Sequence, residues 1–231
     1  MGVESPPMSR QRPSRNRPRG GAGKPRSGKS PASGRPPGKL RIIGGEHRRR
    51  QLPVLDKPGL RPTPDRVRET LFNWLGGELY RVRVLDLFAG TGALGLEALS
   101  RGASKALFVE RDAQVAQAIS DNLATLAIDR AKVRRADAAA LLKDDTASPF
   151  DLVFLDPPFR QGLAEPCCQA LEAGWLADEA WIYVEVESGL VPAVPPTWQL
   201  HREVRAGDSM GRLYRRSESD ADSLKDAAPE S

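Results

Sequence analysis

The chain has 231 residues, 39% of them hydrophobic, and a formal net charge of +5 at pH 7, enough for one α/β domain with a real core and a small appendage. No apolar run approaches the roughly 18 residues of a membrane span and no signal-peptide core is present, so a soluble cytoplasmic protein is expected. With only Cys167, Cys168, His47 and His201 of their kinds, no metal-ligand cluster can be read, and no metal is expected.

Residues 1–39 carry ten Lys or Arg against the single acid Glu4, with eight Pro and seven Gly. They read as a disordered basic tail able to add salt-sensitive affinity for a phosphate backbone. A solvated extension without a partner, or a transit peptide short of amphipathic character, are the other readings. Residues 40–231 hold 25 basic and 29 acidic groups, a net of −4, so the basic balance belongs to the tail.

Leu40 to Gly45 followed by Arg48 to Leu52 predicts a hairpin turning at Gly44-Gly45, with Arg41 and Arg49 on show. Thr63-Pro64 then opens a helix as N-cap and first-turn proline. Val67, Leu71, Trp74 and Leu75 form its apolar stripe before Gly76-Gly77 ends it. Arg61, Arg66 and Arg68 are expected to face away from that stripe, toward substrate phosphates, although a plain solvated face would look the same. These elements make an extension over 40–78, ahead of a core over 79–216.

From Val82 strands and helices alternate. Strands are predicted near 82–87, 105–110, 131–135, 150–155 and 181–187, with a closing antiparallel pair near 198–205 and 212–216. Cys167 and Cys168 should pack along a helix, and residues 217–231, rich in Ser and acids, read as a second disordered tail.

The first strand, Val82 to Phe88, runs into Ala89-Gly90-Thr91-Gly92-Ala93-Leu94-Gly95 and a helix-compatible stretch from Leu96. Gly90, Gly92 and Gly95 complete a G-x-G-x-x-G pattern, with Glu110 placed 18 residues after Gly92, which would also suit a nicotinamide dinucleotide. Asp86 separates the two. A pyrophosphate brought about 4 Å from it would be repelled by roughly 4 kcal/mol at an effective dielectric near 20. The ammonium and sulfonium of S-adenosylmethionine would be welcomed there. Asp86, Phe88, Ala89, Gly90 and Gly92 are then the donor cradle, Glu110 accepts from the ribose hydroxyls, and Asp137 accepts from the adenine amine, caps the next helix, or does both.

The second signal is Asp156-Pro157-Pro158-Phe159, directly after the apolar run Phe150 to Leu155. An exocyclic amine is a poor nucleophile because its lone pair is delocalised into the ring. The Asp156 side chain and the Pro157 carbonyl, held stiff by Pro158, could accept both amine hydrogens and reorient that pair. Phe159 offers a face for stacking a base. Taken alone, the four residues could merely end a strand.

Leu40-Arg41-Ile42-Ile43-Gly44-Gly45, the Arg61 to Leu75 block that opens Arg-Pro-Thr-Pro-Asp-Arg, the Asp86 to Ala103 block and Asp-Pro-Pro-Phe together resemble the RsmD family of bacterial 16S rRNA guanine-N2 methyltransferases. The likeness spans about residues 40–216. It implies a class I S-adenosylmethionine-dependent methyltransferase fold of seven strands. It also implies a small-subunit guanosine as substrate, presented on 16S rRNA or an assembling 30S particle; apart from the resemblance, a monomer with no membrane or metal partner is expected. On that analogy Asp86, Gly90 and Gly92 hold the donor, Glu110 the ribose, Asp137 the adenine, and Asp156 to Phe159 the flipped guanine. A DNA or protein-amide methyltransferase, or an RNA-binding assembly factor on an inactive fold, are the alternatives; the long basic arm is a departure from the family pattern.

Overall fold

Apolar runs that alternate between two sets of neighbours become strands buried on both faces, and four such runs build the centre of this protein. The computed structural model describes residues 1–2, 38–60, 63–144, 146 and 148–217. Of the two units into which the chain divides, Met1–Gly34 and Arg35–Ser231, only the second contains described elements. The expected tails at 1–39 and 217–231 lie outside the described residues apart from residues 1–2, 38–39 and 217, and Arg61 lies outside them as well.

A hairpin of β1 (Gly38–Arg41) and β2 (Gln51–Val54) comes first, then α1 (Asp65–Leu75) and a short 3-10 turn. The core follows as β3 (Arg83–Asp86), α2 (Ala93–Ser100), β4 (Lys105–Glu110), α3 (Ala113–Thr125), β5 (Ala131–Arg135), α4 (Ala138–Leu141), β6 (Phe150–Leu155), α5 (Ala164–Glu172), β7 (Leu176–Glu187), β8 (Trp198–Ala206) and β9 (Ser209–Ser217). The seven-stranded sheet has the order β5-β4-β3-β6-β7-β9-β8, parallel except for β9, which pairs antiparallel with both neighbours. This is the mostly parallel sheet with an antiparallel closing hairpin that the sequence predicts.

Strand parity decides what lies on each face. Val84, Phe108, Leu152, Phe154 and Tyr183 join the cluster formed with the hairpin, α1, α2 and α3. Leu85, Val109, Val153, Leu155, Ile182 and Val184 join the one formed with α4 and α5. Cys167 and Cys168 are buried in that second cluster, where desolvation pushes their thiols up to about 11 and about 12. They pack as expected and are poor nucleophiles.

Several boundaries differ from those predicted. β1 starts at Gly38, two residues inside the expected tail, because Gly38 pairs with Val54. β7 starts at Leu176 rather than 181, since Leu176 pairs with Phe150 across a register shift in the polar Leu-Ala-Asp-Glu-Ala stretch that carries no strand pattern. Thr63 does not cap α1. Pro64 occupies that position, its carbonyl accepting from Val67 N and Arg68 N at 2.9 and 3.1 Å.

Candidate active site

The sheet order reverses between β3 and β6, and in an open parallel sheet a ligand crevice lies outside the carboxyl ends at that point. Asp86 ends β3, Glu110 ends β4, Asp156 follows β6, and Glu185 lies near the end of β7. Asp86 shares the parity of Val84, Asp156 that of Phe154, and Glu185 that of Tyr183. All three carboxylates therefore belong to the face covered by α1 and α2.

After β3 the chain crosses back toward β4, with Ala89 N donating to Val109 O at 2.9 Å. Gly92, at φ 74°, caps α2 in the left-handed conformation that favours glycine. Three residues on, Gly95 N donates to Asp86 Oδ2 at 3.0 Å, an approach open only to glycine because a Cβ there would strike the Phe108 ring. Asp86 is 3% exposed. Its burial pushes the carboxyl up to about 7, against the pull of the Gly95 N–H and with the Glu110 charge adding to the rise.

Glu110 bridges the same turn, accepting from Gly90 N at 3.1 Å through one oxygen and from Asp112 N at 2.8 Å through the other. The bridge sets the carboxylate beside the Gly90 to Gly92 turn. Asp137 caps α4 by accepting from Ala140 N at 2.9 Å and is otherwise exposed. Phe88 is half-buried and Ala89 buried on the Gly side of the crevice.

Across the switch point, Asp156 is half-buried, Pro157 buried, and Pro158 exposed; Phe159 is 43% exposed. Desolvation pushes the Asp156 carboxyl well above the usual carboxylate range, and the charges of Glu185 and Asp86 push the same way. Arg160 N donates to Glu187, tying the loop to the end of β7. Among the described residues no group of His, Cys, Asp and Glu has metal-holding geometry.

The residues expected to meet RNA separate sharply. Arg49 and Arg66 are exposed. Arg41 is exposed too, with its guanidinium 2.7 Å from Asp65. Arg68 is not available to any substrate: its side chain is fully buried, donating to Thr63 O at 3.1 Å, Arg41 O at 2.9 Å, Asp65 at 2.6 Å and Glu97 at 3.4 Å. Partial burial works against Asp65, yet hydrogen bonds from Arg41 and Arg68 hold it below the usual range.

The sequence reading missed two groups near the site. Lys57 bonds both oxygens of Asp112, the cap of α3, at 2.7 and 2.8 Å, which keeps Asp112 below its usual range. Leu60 lies over Gly90 and roofs the turn. The second group is Tyr183, Glu185 and Ser209. A lone acid inside an apolar strand run was the available signal for Glu185.

A family described as conserved hypothetical protein 95 matches residues 40–215. The ribosomal RNA small subunit methyltransferase D of Escherichia coli K12 is 56% identical over 191 residues, covering 80% of this chain and 96% of that protein. The solved Escherichia coli protein yhhF superposes with a TM-score of 0.72 at 50% identity, over 78% of this chain and 99% of that one. An RNA methyltransferase from Salinibacter ruber, solved with S-adenosyl-L-homocysteine, gives 0.54 at 16% identity over 74% of this chain and 98% of its own, a likeness of fold. The fold is that of the class I S-adenosylmethionine-dependent methyltransferases. The chain belongs to the conserved hypothetical protein 95 family, the RsmD family of ribosomal RNA small subunit methyltransferases.

Proposed function

We propose that the protein methylates the exocyclic N2 of one guanosine in small-subunit ribosomal RNA, with S-adenosylmethionine as donor. One observation carries this reading: Asp156-Pro157-Pro158-Phe159 leaves β6 at the switch point, on the sheet face that also holds Asp86 and beside the glycine turn. The named relative, a ribosomal RNA small subunit methyltransferase, supports the substrate class.

The residues suit that donor. Asp86 is a desolvated acid to which no Lys or Arg is bonded among the described residues, so a ligand with positive charge relieves it. Glu110 is a carboxylate fixed by two N–H groups, able to accept from ribose hydroxyls. Asp137, exposed after β5, is left able to accept from an adenine amine while capping α4. Phe88, Ala89, Gly90 and Gly92 line the turn between them.

When bound, the donor supplies an electrophilic methyl on a sulfonium. The protein's part is to present the amine. Phe159 stacks the extruded base, a contact worth about 1–3 kcal/mol against an unstacking cost of a few. Asp156 and the Pro157 carbonyl accept the amine hydrogens and turn the nitrogen lone pair toward the methyl. The new N–C bond forms as the S–C bond breaks and its electron pair stays on sulfur; the nitrogen then sheds a proton toward Asp156.

Labelled donor incubated with small-subunit particles, naked 16S rRNA and duplex DNA, followed by mass mapping of the RNA, tests the reading. Label is expected on a single small-subunit guanosine. Asp156→Ala should slow transfer about a hundredfold or more with donor affinity retained. Label in DNA alone, or undiminished transfer by the variant, overturns it.

A further inference from the structure

Beside Asp156 lies a set of buried polar groups, Tyr183, Glu185 and Ser209, hydrogen-bonded to one another. Leu155 of β6 pairs with Val184 of β7, so Asp156 and Glu185 emerge next to each other where strands run about 4.8 Å apart. Glu185 is 6% exposed. One oxygen accepts from the Tyr183 hydroxyl at 2.9 Å and the other from Ser209 Oγ at 2.7 Å. Gly211 faces Glu185 across β9, and a Cβ there would occupy the place of the Tyr183 hydroxyl. The strand thus gives up a side chain where the phenol must sit.

We propose that Glu185 is a positioning residue for methyl transfer, a fixed buried negative charge held by Tyr183 and Ser209 that strengthens Asp156 as acceptor of the amine hydrogens. The proposal rests on the methyl-transfer reading above. Burying a carboxylate costs several kcal/mol and is offset only by well-made partners. Here both partners are neutral hydroxyls, so they fix the charge without cancelling it, and that charge bears on Asp156. A structural role alone would be served as well by an apolar residue in this apolar strand.

The other groups around Asp156 are accounted for. Asp86 of β3 adds a like charge and is bonded to Gly95 N. Glu187 accepts from Arg160 N, and Arg212 of β9 turns to Glu203 and the Leu190 carbonyl. Glu185 is the neighbouring charge that opposes ionisation of Asp156 most after desolvation. In the proton step, the N–H bond of the methylated, positively charged amine breaks, its electron pair stays on nitrogen, and Asp156 carries the proton to solvent.

The test is the pH profile of single-turnover methyl transfer to small-subunit RNA by the full chain. Glu185→Gln leaves every hydrogen bond makeable: Tyr183 donates to the amide oxygen, the amide donates to Ser209 Oγ, and that hydroxyl turns to the Ala206 carbonyl 3.0 Å away. With the charge gone, Asp156 ionises more readily. The acid limb of the profile should therefore move to lower pH, and the plateau rate should fall about tenfold because a less basic acceptor draws the proton less. Donor affinity by calorimetry should stay as in the wild type.

Tyr183→Phe keeps the charge and removes one donor, so its acid limb should move the other way, to higher pH. It also keeps the question open to decision should Glu185→Gln fail to fold. An unmoved limb in a folded Glu185→Gln, or a shift of Tyr183→Phe to lower pH, overturns the proposal while leaving the methyl-transfer reading intact. Absence of transfer by the wild type overturns both.

Discussion

Asp86 has conflicting duties, and its titration exposes them. Burial raises its carboxyl to about 7 from an unfolded value near 3.8, so the folded state holds an extra proton between those limits. Stability attributable to this group therefore falls as pH rises from about 4 to about 7 and is lowest above that. Asn at 86 can still accept from Gly95 N without carrying the charge. Asp86→Asn is expected to be more stable than the wild type at pH 8, by up to about 4 kcal/mol, with the margin narrowing at pH 5, as read from denaturant unfolding at both. The same variant should bind S-adenosylmethionine more weakly, since the acid that destabilises the empty fold is the one that meets the donor's positive charge. The sequence discloses Asp86 and Asp156 because each breaks an apolar run at a turn. It marks Glu185 only as an acid within an apolar strand run, because one of its two partners, Ser209, comes from a strand 24 residues away.

At the scale of elements, α1 shows why a helix stripe predicts packing better than function. Val67, Leu71 and Leu75 are buried as their spacing requires, and Phe72 joins them by meeting Phe154 edge-on at 5.9 Å. Arg68 lies beside that stripe and is buried as well, because Glu97 waits within the otherwise apolar α2. Glu97 itself accepts from Ile43 N and Gly44 N at 2.8 Å and from Arg101 at 2.7 Å. One acid thus joins hairpin, α1 and α2, and local sequence could not reveal it because Arg68 and Glu97 are 29 residues apart. Removing one member of a buried pair strands the other, so Arg68→Ala should cost about 3–5 kcal/mol in denaturant unfolding. Arg66→Ala, two residues away and exposed, should stay within about 0.5 kcal/mol of wild type and weaken RNA binding instead. Equal stability losses in the two variants would contradict the burial that distinguishes them.

For the whole molecule, the mostly parallel sheet was legible because β3, β4 and β6 are apolar runs buried on both faces and each is followed by a helix, while the order of the strands emerges only in the structure. The start of β7 was not legible, since Asp178 and Glu179 are exposed and break any apolar pattern between Leu176 and Trp181. Charge is the other property of the whole chain, and it is divided: residues 40–231 are net acidic, while residues 1–37 hold nine Lys or Arg against one acid. Each phosphate neutralised steepens the salt dependence of binding by about 0.7 for single strands and about 0.9 for duplex. If the basic segment engages RNA backbone, a chain beginning at Gly38 should bind small-subunit RNA with a log-log salt slope shallower by several units between about 50 and 200 mM salt. Its turnover with saturating RNA should match the full chain, because Asp86, Glu110, Asp156 and Glu185 all lie in the retained part. A filter-binding series at four salt concentrations decides the matter, and an unchanged slope would leave recognition to Arg41, Arg49, Arg66 and the crevice itself.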